Sequence, residues 1–166
     1  MLDVLSKSEA VAVLCLLMVS ADDEIRLEEL SSMLNNPFFQ EHVTNKIGSH
    51  KRFLAKFNKA KASFGENALE QKTLSVLKPA FPAFQTKMLA LLTLIAGADD
   101  NYDQSEKELM ARLSSELGIP MSSIEPELEK MKEAILNQSM QEKDKEDQDK
   151  KSSPNDDNKA DEEQNS

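Results

Sequence analysis

The sequence contains one pattern twice, and this repetition limits the folds open to the chain more than any other feature. Asp22 and Asp23 recur as Asp99 and Asp100, so 77 residues separate the two copies. The same offset pairs a hydrophobic residue, a glutamate and a methionine in each copy: Ile25 with Tyr102, Glu29 with Glu106, and Met33 with Met110. The chain is therefore predicted to contain two units of one design.

Each predicted unit consists of a helix, an acidic loop and a second helix. The first helix is almost wholly apolar, is predicted over residues 6–21 in one copy and 83–97 in the other, and leads into Ala-Asp-Asp at residues 21–23 and 98–100. The second helix is amphipathic and carries acids in its first turn, where they suit the positive end of the helix dipole. Because helices that are hydrophobic on every side are buried ones, the two apolar helices are predicted to form the centre of the fold.

The composition favours helix over sheet. The chain has only four glycines and no run of alternating β-branched residues. Turn signals at Gly48, Gly65, Pro79 and Gly118 divide the ordered region into shorter segments with helical periodicity. We predict an all-α fold, a compact helical bundle of about seven or eight helices with an internal two-fold repeat of helix, acidic loop and helix.

The ordered region and the C-terminal segment differ in composition. Residues 1–137 are predicted to form one helical domain. Residues 138–166 are rich in acids and lysines and have almost no apolar side chains, so they are predicted to be a disordered tail. Glutamate and lysine are good helix formers, and the first part of this tail could extend the preceding helix as far as Pro154.

Charge and hydropathy exclude several classes of protein. A net charge of −10 argues against nucleic-acid binding, which depends on cations that neutralise phosphates. Both apolar runs are shorter than the ~20 residues that a transmembrane helix needs, so the protein is predicted not to span a membrane. The single cysteine, Cys15, lies in an apolar run and is predicted to be a buried small hydrophobe.

The acidic loops are the candidate metal site. Calcium, magnesium and manganese prefer carboxylate oxygens, and clustered carboxylates repel one another unless something neutralises them. The candidate ligands are Asp99, Asp100, Asp103 and Glu106 in the second copy and Asp22, Asp23 and Glu29 in the first. The alternative is that Asp103 caps the next helix, Glu106 completes its capping box, and the other acids are solvated turn residues.

A basic segment follows the first unit. Residues 46–61 contain six cations and no acid, while phenylalanines recur at helical spacing at Phe53, Phe57 and Phe64. Such a basic amphipathic helix could bind an anionic membrane surface or an acidic partner. Alternatively, the phenylalanines belong to the core and the lysines form its solvated face.

Catalytic patterns are weak in this sequence. The two histidines, His42 and His50, do not accompany Cys15 in a pattern that would activate a nucleophile, and the serines occur at caps and turns. A glycine-rich phosphate loop is also lacking. The chain is predicted not to be an enzyme and to carry no cofactor other than the divalent cation considered above.

The repeated pattern resembles the A-D-G-x-I-D-x-x-E-x-x-x-L signature of the TerB-like superfamily, which includes tellurite-resistance TerB and the N-terminal domain of DjlA-type membrane co-chaperones. The resemblance covers roughly residues 8–135. Asp23 and Asp100 stand where the signature has glycine, and aspartate tolerates left-handed backbone better than most residues. Arg26 replaces the second aspartate in the first copy, which removes a helix cap, whereas Asp103 retains it in the second.

The resemblance implies a non-enzymatic interaction or scaffold protein. It places the chain in a bacterial response to tellurite or to other envelope and metal stress. The expected location is the cytoplasm, peripheral to the inner membrane, with membrane-associated proteins as partners. The alternative function is a divalent-cation sensor or buffer that uses the acidic interhelical loops.

Overall fold

In the computed structural model, residues 4–21, 25–98 and 102–151 are described, and within them the regular structure is entirely helical. The eight α-helices of these residues confirm the predicted all-α bundle. Their bounds are α1 Lys7–Val19, α2 Leu27–Leu34, α3 Pro37–Phe39, α4 His50–Phe64, α5 Glu66–Leu77, α6 Pro82–Ala96, α7 Gln104–Leu117 and α8 Met121–Lys151, with a π-helical turn at Gln40–Thr44 directly after α3.

Local capping determines where several helices begin and end. At α1 the Ser6 hydroxyl accepts from the Glu9 amide at 3.1 Å, and the Glu9 carboxylate accepts from the Ser6 amide at 2.9 Å. This reciprocal pair satisfies two amides that the helix itself leaves without partners. At the end of α7, Gly118 is left-handed at φ 67°, a conformation that glycine adopts without steric cost.

The two apolar helices lie at the centre of the bundle, as predicted. In α1 the side chains of residues 10–15 are all buried, and in α6 those of residues 88–92 are fully buried. α1 packs against α5 and α6, α2 packs against α6, and α7 packs against α6 and α5. Each large apolar side chain removed from water contributes about 1.5–3 kcal/mol, so these two helices supply much of the driving force for folding.

The connection between α2 and α4 is held by a buried polar residue. The Asn36 side-chain oxygen accepts from the amides of Phe38 at 2.9 Å and Phe39 at 3.3 Å, which caps α3. Pro37 occupies the first helical position, where its missing N–H costs nothing. This cap directs Phe38 and Phe39 into the core.

The helix ends keep the spacing of the sequence pattern. α1 ends at Val19 and α6 at Ala96, while α2 begins at Leu27 and α7 at Gln104, so both pairs differ by 77 residues. Whether the two halves also superpose in three dimensions stays a prediction.

The chain divides into two compact units, residues 1–132 and residues 133–166. The described part of the second unit is the distal portion of α8, which continues to Lys151. The helix therefore runs through residues 138–151, the extension into the tail that the composition allows, because the glutamates and lysines there are good helix formers. Residues 152–166 lie outside the described residues. Within the described ranges, no helix has the length and hydropathy to cross a bilayer.

Candidate functional site

Four of the seven predicted metal ligands, Asp22, Asp23, Asp99 and Asp100, lie outside the described residues. The other three, Glu29, Asp103 and Glu106, lie in or next to the first turns of α2 and α7. Among the residues that the structure describes, no three histidines, cysteines or carboxylates come close enough to hold a metal ion. The cation site therefore stays a prediction.

Asp103 and Glu106 cap α7, as the alternative to metal binding predicted. The Asp103 carboxylate accepts from the Glu106 amide at 3.0 Å, and the Glu106 carboxylate accepts from the Asp103 amide at 2.9 Å. Glu106 is only 1% exposed. Burial raises the pKa of Tyr102 above its ordinary value, and the nearby negative charge of Glu106 raises it further. The start of α7 thus joins a buried carboxylate, Glu106, to a half-buried one, Asp103.

The corresponding start of α2 is built differently. Arg26 is the N-cap residue, and its side chain makes no capping hydrogen bond to the helix. Glu29, like Glu106, is 1% exposed. The sequence correctly predicted that Arg26 removes the helix cap from the first copy of the pattern.

An apolar groove lies between α1, α2 and α4. Its volume is about 480 Å³. Ala12, Leu16 and Val19 of α1 line its floor, and α2 and α4 form its two walls. On α2 the wall residues are Leu30, Met33 and Leu34, and on α4 they are Phe53, Leu54 and Phe57. We call this feature the α1/α2/α4 groove.

The rim of the α1/α2/α4 groove exposes hydrophobic side chains to solvent. Ile25 is 61% exposed, Leu34 43% and Leu54 42%. All three residues line the groove, Ile25 just before α2, Leu34 on α2 and Leu54 on α4, so exposed apolar surface adjoins the groove. Contiguous exposed apolar surface marks interaction sites more often than isolated hydrophobic residues do.

Cations lie along one side of this groove. α4 contains five lysines and arginines and no acid, in a chain whose net charge is −10. His50, Lys51 and Lys61 line the groove itself. The Lys61 ammonium group also forms an ion pair with Glu66 at 2.7 Å. The basic character therefore concentrates at the end of the groove near the start of α4.

The basic helix agrees with the interpretation in which its phenylalanines belong to the core. Phe53 and Phe57 are buried, as the core alternative predicted, and Phe64 is partly exposed beneath the Lys72 ammonium group, 4.6 Å from the ring centre. Arg52 and Lys59 point away from the groove into solvent, since neither lines it and both are exposed. The same helix thus contributes to the core and to one wall of the groove.

An aromatic cluster surrounds His42 elsewhere on the same unit. The His42 ring lies 4.5 Å from Phe38 and 5.1 Å from Phe84 between ring centres, and the Lys7 ammonium group sits 3.8 Å above the Phe84 ring. Burial lowers the pKa of His42 below its ordinary value. The nearby charge of Glu41 opposes this lowering, and three lysines reinforce it, namely Lys46, Lys7 and Lys87.

A buried carboxylate joins α5 to α7. Arg112 donates two hydrogen bonds to Glu70, from Nε at 3.0 Å and from Nη2 at 3.1 Å. The Glu70 side chain is buried, whereas about half of the Arg112 side chain is exposed. The hydrogen bond to Glu70 raises the pKa of Arg112, which remains charged in any case. This ion pair links the two helices and gives the buried carboxylate two hydrogen bonds.

Sequence reasoning missed the α1/α2/α4 groove. A signal was present, because the hydrophobic residues of α2 and of α4 cover a wider part of each helix surface than a single core-facing stripe. On α4 the neighbours Phe53 and Leu54 cannot both face the core, and on α2 Met33 and Leu34 pose the same conflict. A second apolar face on an amphipathic helix indicates a second surface to cover.

Comparison with known proteins identifies one family. The family model described as tellurite resistance protein TerB matches residues 8–126. A search of curated proteins found no match. Among solved structures, the chain is similar to a protein of unknown function from Porphyromonas gingivalis W83, with 20% identity and a TM-score of 0.49 over 80% of this chain and 95% of that one.

Proposed function

The chain belongs to the TerB family, and we propose that it is a non-enzymatic interaction protein that serves as a scaffold in a bacterial response to tellurite or to other envelope and metal stress. On this proposal it acts in the cytoplasm, peripheral to the inner membrane, and binds membrane-associated proteins.

The α1/α2/α4 groove is the observation that carries the proposal. The groove has a volume of about 480 Å³ and is walled by leucine, methionine and phenylalanine. Water in such a groove contacts apolar surface, which is unfavourable, so a partner that displaces this water gains binding free energy. The exposed side chains of Leu34 and Leu54 extend this apolar surface to the rim. A protein that keeps such a surface open is suited to binding another molecule there.

The setting of Cys15 supports a non-enzymatic role. A catalytic cysteine needs an exposed environment that stabilises its thiolate. Cys15 is fully buried in α1, and burial raises the pKa of its thiol far above the ordinary value. The thiol is thus an apolar packing group, as the sequence predicted.

A growth assay with in-cell cross-linking tests the proposal. The gene is deleted in its host and restored with a tagged wild-type copy, and growth is scored with and without tellurite and under a second metal stress. The deletion is expected to sensitise the cells and the wild-type copy to restore growth. After formaldehyde cross-linking in the same cells, purification of the tagged chain should recover at least one protein of the membrane fraction.

Two results would contradict the proposal. Equal growth of the deleted and parental strains under every stress would remove the stress role. A tagged chain that cross-links to nothing in the membrane fraction would remove the scaffold role at the membrane. A tagged chain that carries Leu34→Asp and Leu54→Asp, two exposed residues at the rim of the groove, controls for nonspecific capture.

The second candidate function is a divalent-cation sensor or buffer. Two buried glutamates, Glu29 and Glu106, favour it, because each stands in the first turn of a helix that follows an Asp pair. Amide NMR spectra recorded during titration with calcium, magnesium or manganese would test this candidate. It predicts changes near residues 99–106 that disappear in the Asp99→Asn, Asp103→Asn double variant. Spectra unchanged at millimolar cation would rule it out.

A further inference from the structure

We infer that the α1/α2/α4 groove binds an acidic amphipathic helix of a partner protein, with the apolar face of that helix in the groove and its carboxylates against the start of α4. This inference rests on the proposed function and specifies the chemistry of the partner.

The shape of the site favours a helix as the occupant. Lining residues on α4 extend from His50 to Lys61, which at 1.5 Å per residue is about 16 Å of wall. A helix of about three turns has that length and presents apolar residues at i, i+4 and i+7 along one side. The groove is walled by helices on both sides, as in other sites that receive an amphipathic helix.

Charge selects an acidic occupant. Lys51 and His50 lie at one end of the groove and α4 carries no acid, although the chain as a whole has a net charge of −10. An acidic helix would meet attraction at this wall, whereas the rest of the chain has an excess of acids over cations. Electrostatic complementarity of this kind directs a partner to one site and suppresses others.

Other occupants fit the observations less well. A membrane surface would contact only the exposed rim residues such as Leu34 and Leu54. It would leave unfilled the recess that Leu30, Met33 and Phe57 line. The chain's own residues 152–166 contain no apolar side chain other than Pro154 and Ala160, so they offer nothing to fill it. An acidic helix with exposed leucines would fill the recess with apolar side chains and place its carboxylates near the cations of α4.

A peptide-binding assay on the full chain tests the inference. The probe is a fluorescently labelled helical peptide of about 15 residues, with leucines at i, i+4, i+7 and i+11 and glutamates on the polar face. A second peptide keeps the leucines and has lysines in place of the glutamates. Fluorescence anisotropy is expected to show that the glutamate peptide binds about tenfold more tightly than the lysine peptide.

Variants on opposite walls localise the binding. Leu54→Asp and Leu34→Asp change partly exposed residues of α4 and α2, and each is expected to weaken binding of the glutamate peptide by about tenfold or more. Phe81→Asp is the matched control, because Phe81 is 80% exposed and does not line the groove. Circular dichroism confirms that each variant is folded, and agreement between two separate walls guards against a folding artefact.

A charge-reversed pair tests the electrostatic part. Lys51→Glu and Arg52→Glu place the same charge in the same first turn of α4, but only Lys51 lines the groove. Lys51→Glu is expected to weaken binding of the glutamate peptide by about fivefold, and Arg52→Glu to change it by less than about twofold. Equal effects would show that only the net charge of the helix matters.

Several results would overturn the inference. The groove does not select an acidic helix if both peptides bind equally, if neither binds, or if Phe81→Asp weakens binding as much as Leu54→Asp. Phosphatidylglycerol vesicles or dodecanoate that bind where the peptides do not would identify a lipid occupant. Self-association of the chain that Leu54→Asp abolishes, without peptide binding, would identify a second copy.

These outcomes are distinguishable from failure of the proposed function. If the wild-type chain restores growth and cross-links to a membrane protein while the groove variants do so equally well, the scaffold role stands and the inference about the groove fails. If the wild-type chain does neither, the proposed function fails whatever the peptides do.

Discussion

The capping box at the start of α7 allows a quantitative prediction. Replacing Asp103 with alanine removes the carboxylate that accepts from the Glu106 amide at 3.0 Å. Loss of an N-cap acceptor costs about 1 kcal/mol, within a range of about 0.5–2. The Glu106 side chain can still accept from the backbone amide of residue 103, so the upper end of the range is not expected. We predict that Asp103→Ala lowers the free energy of unfolding by about 1 kcal/mol.

Urea unfolding followed by far-UV circular dichroism measures this loss. Asp103→Asn is the matched control, because asparagine caps helices as well as aspartate does while lacking the charge. We expect Asp103→Asn to lose less than about 0.5 kcal/mol and the slope of the transition to stay the same in both variants. A fall of about 1 kcal/mol corresponds to roughly 4 °C in Tm for a unit of this size.

The two variants together can refute the reasoning. If Asp103→Ala is as stable as the wild type, the hydrogen bond to Glu106 contributes nothing and the capping argument fails. If Asp103→Asn loses as much as Asp103→Ala, the charge matters and the cap does not. That second result would favour a carboxylate that interacts with a cation, and would make the cation titration the next experiment.

Three further changes have expected outcomes. Arg112→Ala should cost about 1–2 kcal/mol in urea unfolding, because it leaves the buried Glu70 carboxylate without its two hydrogen bonds, and an equally stable variant would contradict this. The folded-state pKa of His42 lies below its unfolded value, so its contribution to stability is present above pH ~6.5 and is lost as the pH falls through the folded pKa. His42→Gln should reduce the change in unfolding free energy over this pH range. An unchanged pH dependence of the unfolding free energy would show that another group causes the change. Glu106→Gln should lower the pKa of Tyr102, the only tyrosine, in an absorbance titration, and an unmoved titration would contradict the electrostatic contribution.

Much of the fold was predictable because its determinants are local. Ser6 and Glu9 lie three residues apart. The side chain of each can therefore accept from the backbone amide of the other without any tertiary contact. The apolar character of α1 and α6 likewise predicted their burial without knowledge of their neighbours. Contacts such as that between Glu70 and Arg112 join residues 42 positions apart, and nothing in either local segment indicates the partner.

The second apolar faces of α2 and α4 indicate a surface to cover, but the position of the α1/α2/α4 groove depends on a mismatch in helix length that neither local pattern contains. α2 has eight residues, about 12 Å, whereas α4, which lines the same groove, has fifteen residues, about 22 Å. Asn36 and Pro37 end α2 early by capping the next short helix. In the sequence, α7 follows the second Asp pair as α2 follows the first, and it has fourteen residues. The shorter helix leaves part of α1 and α4 without a neighbour, so the apolar residues there line an open groove instead of a closed core.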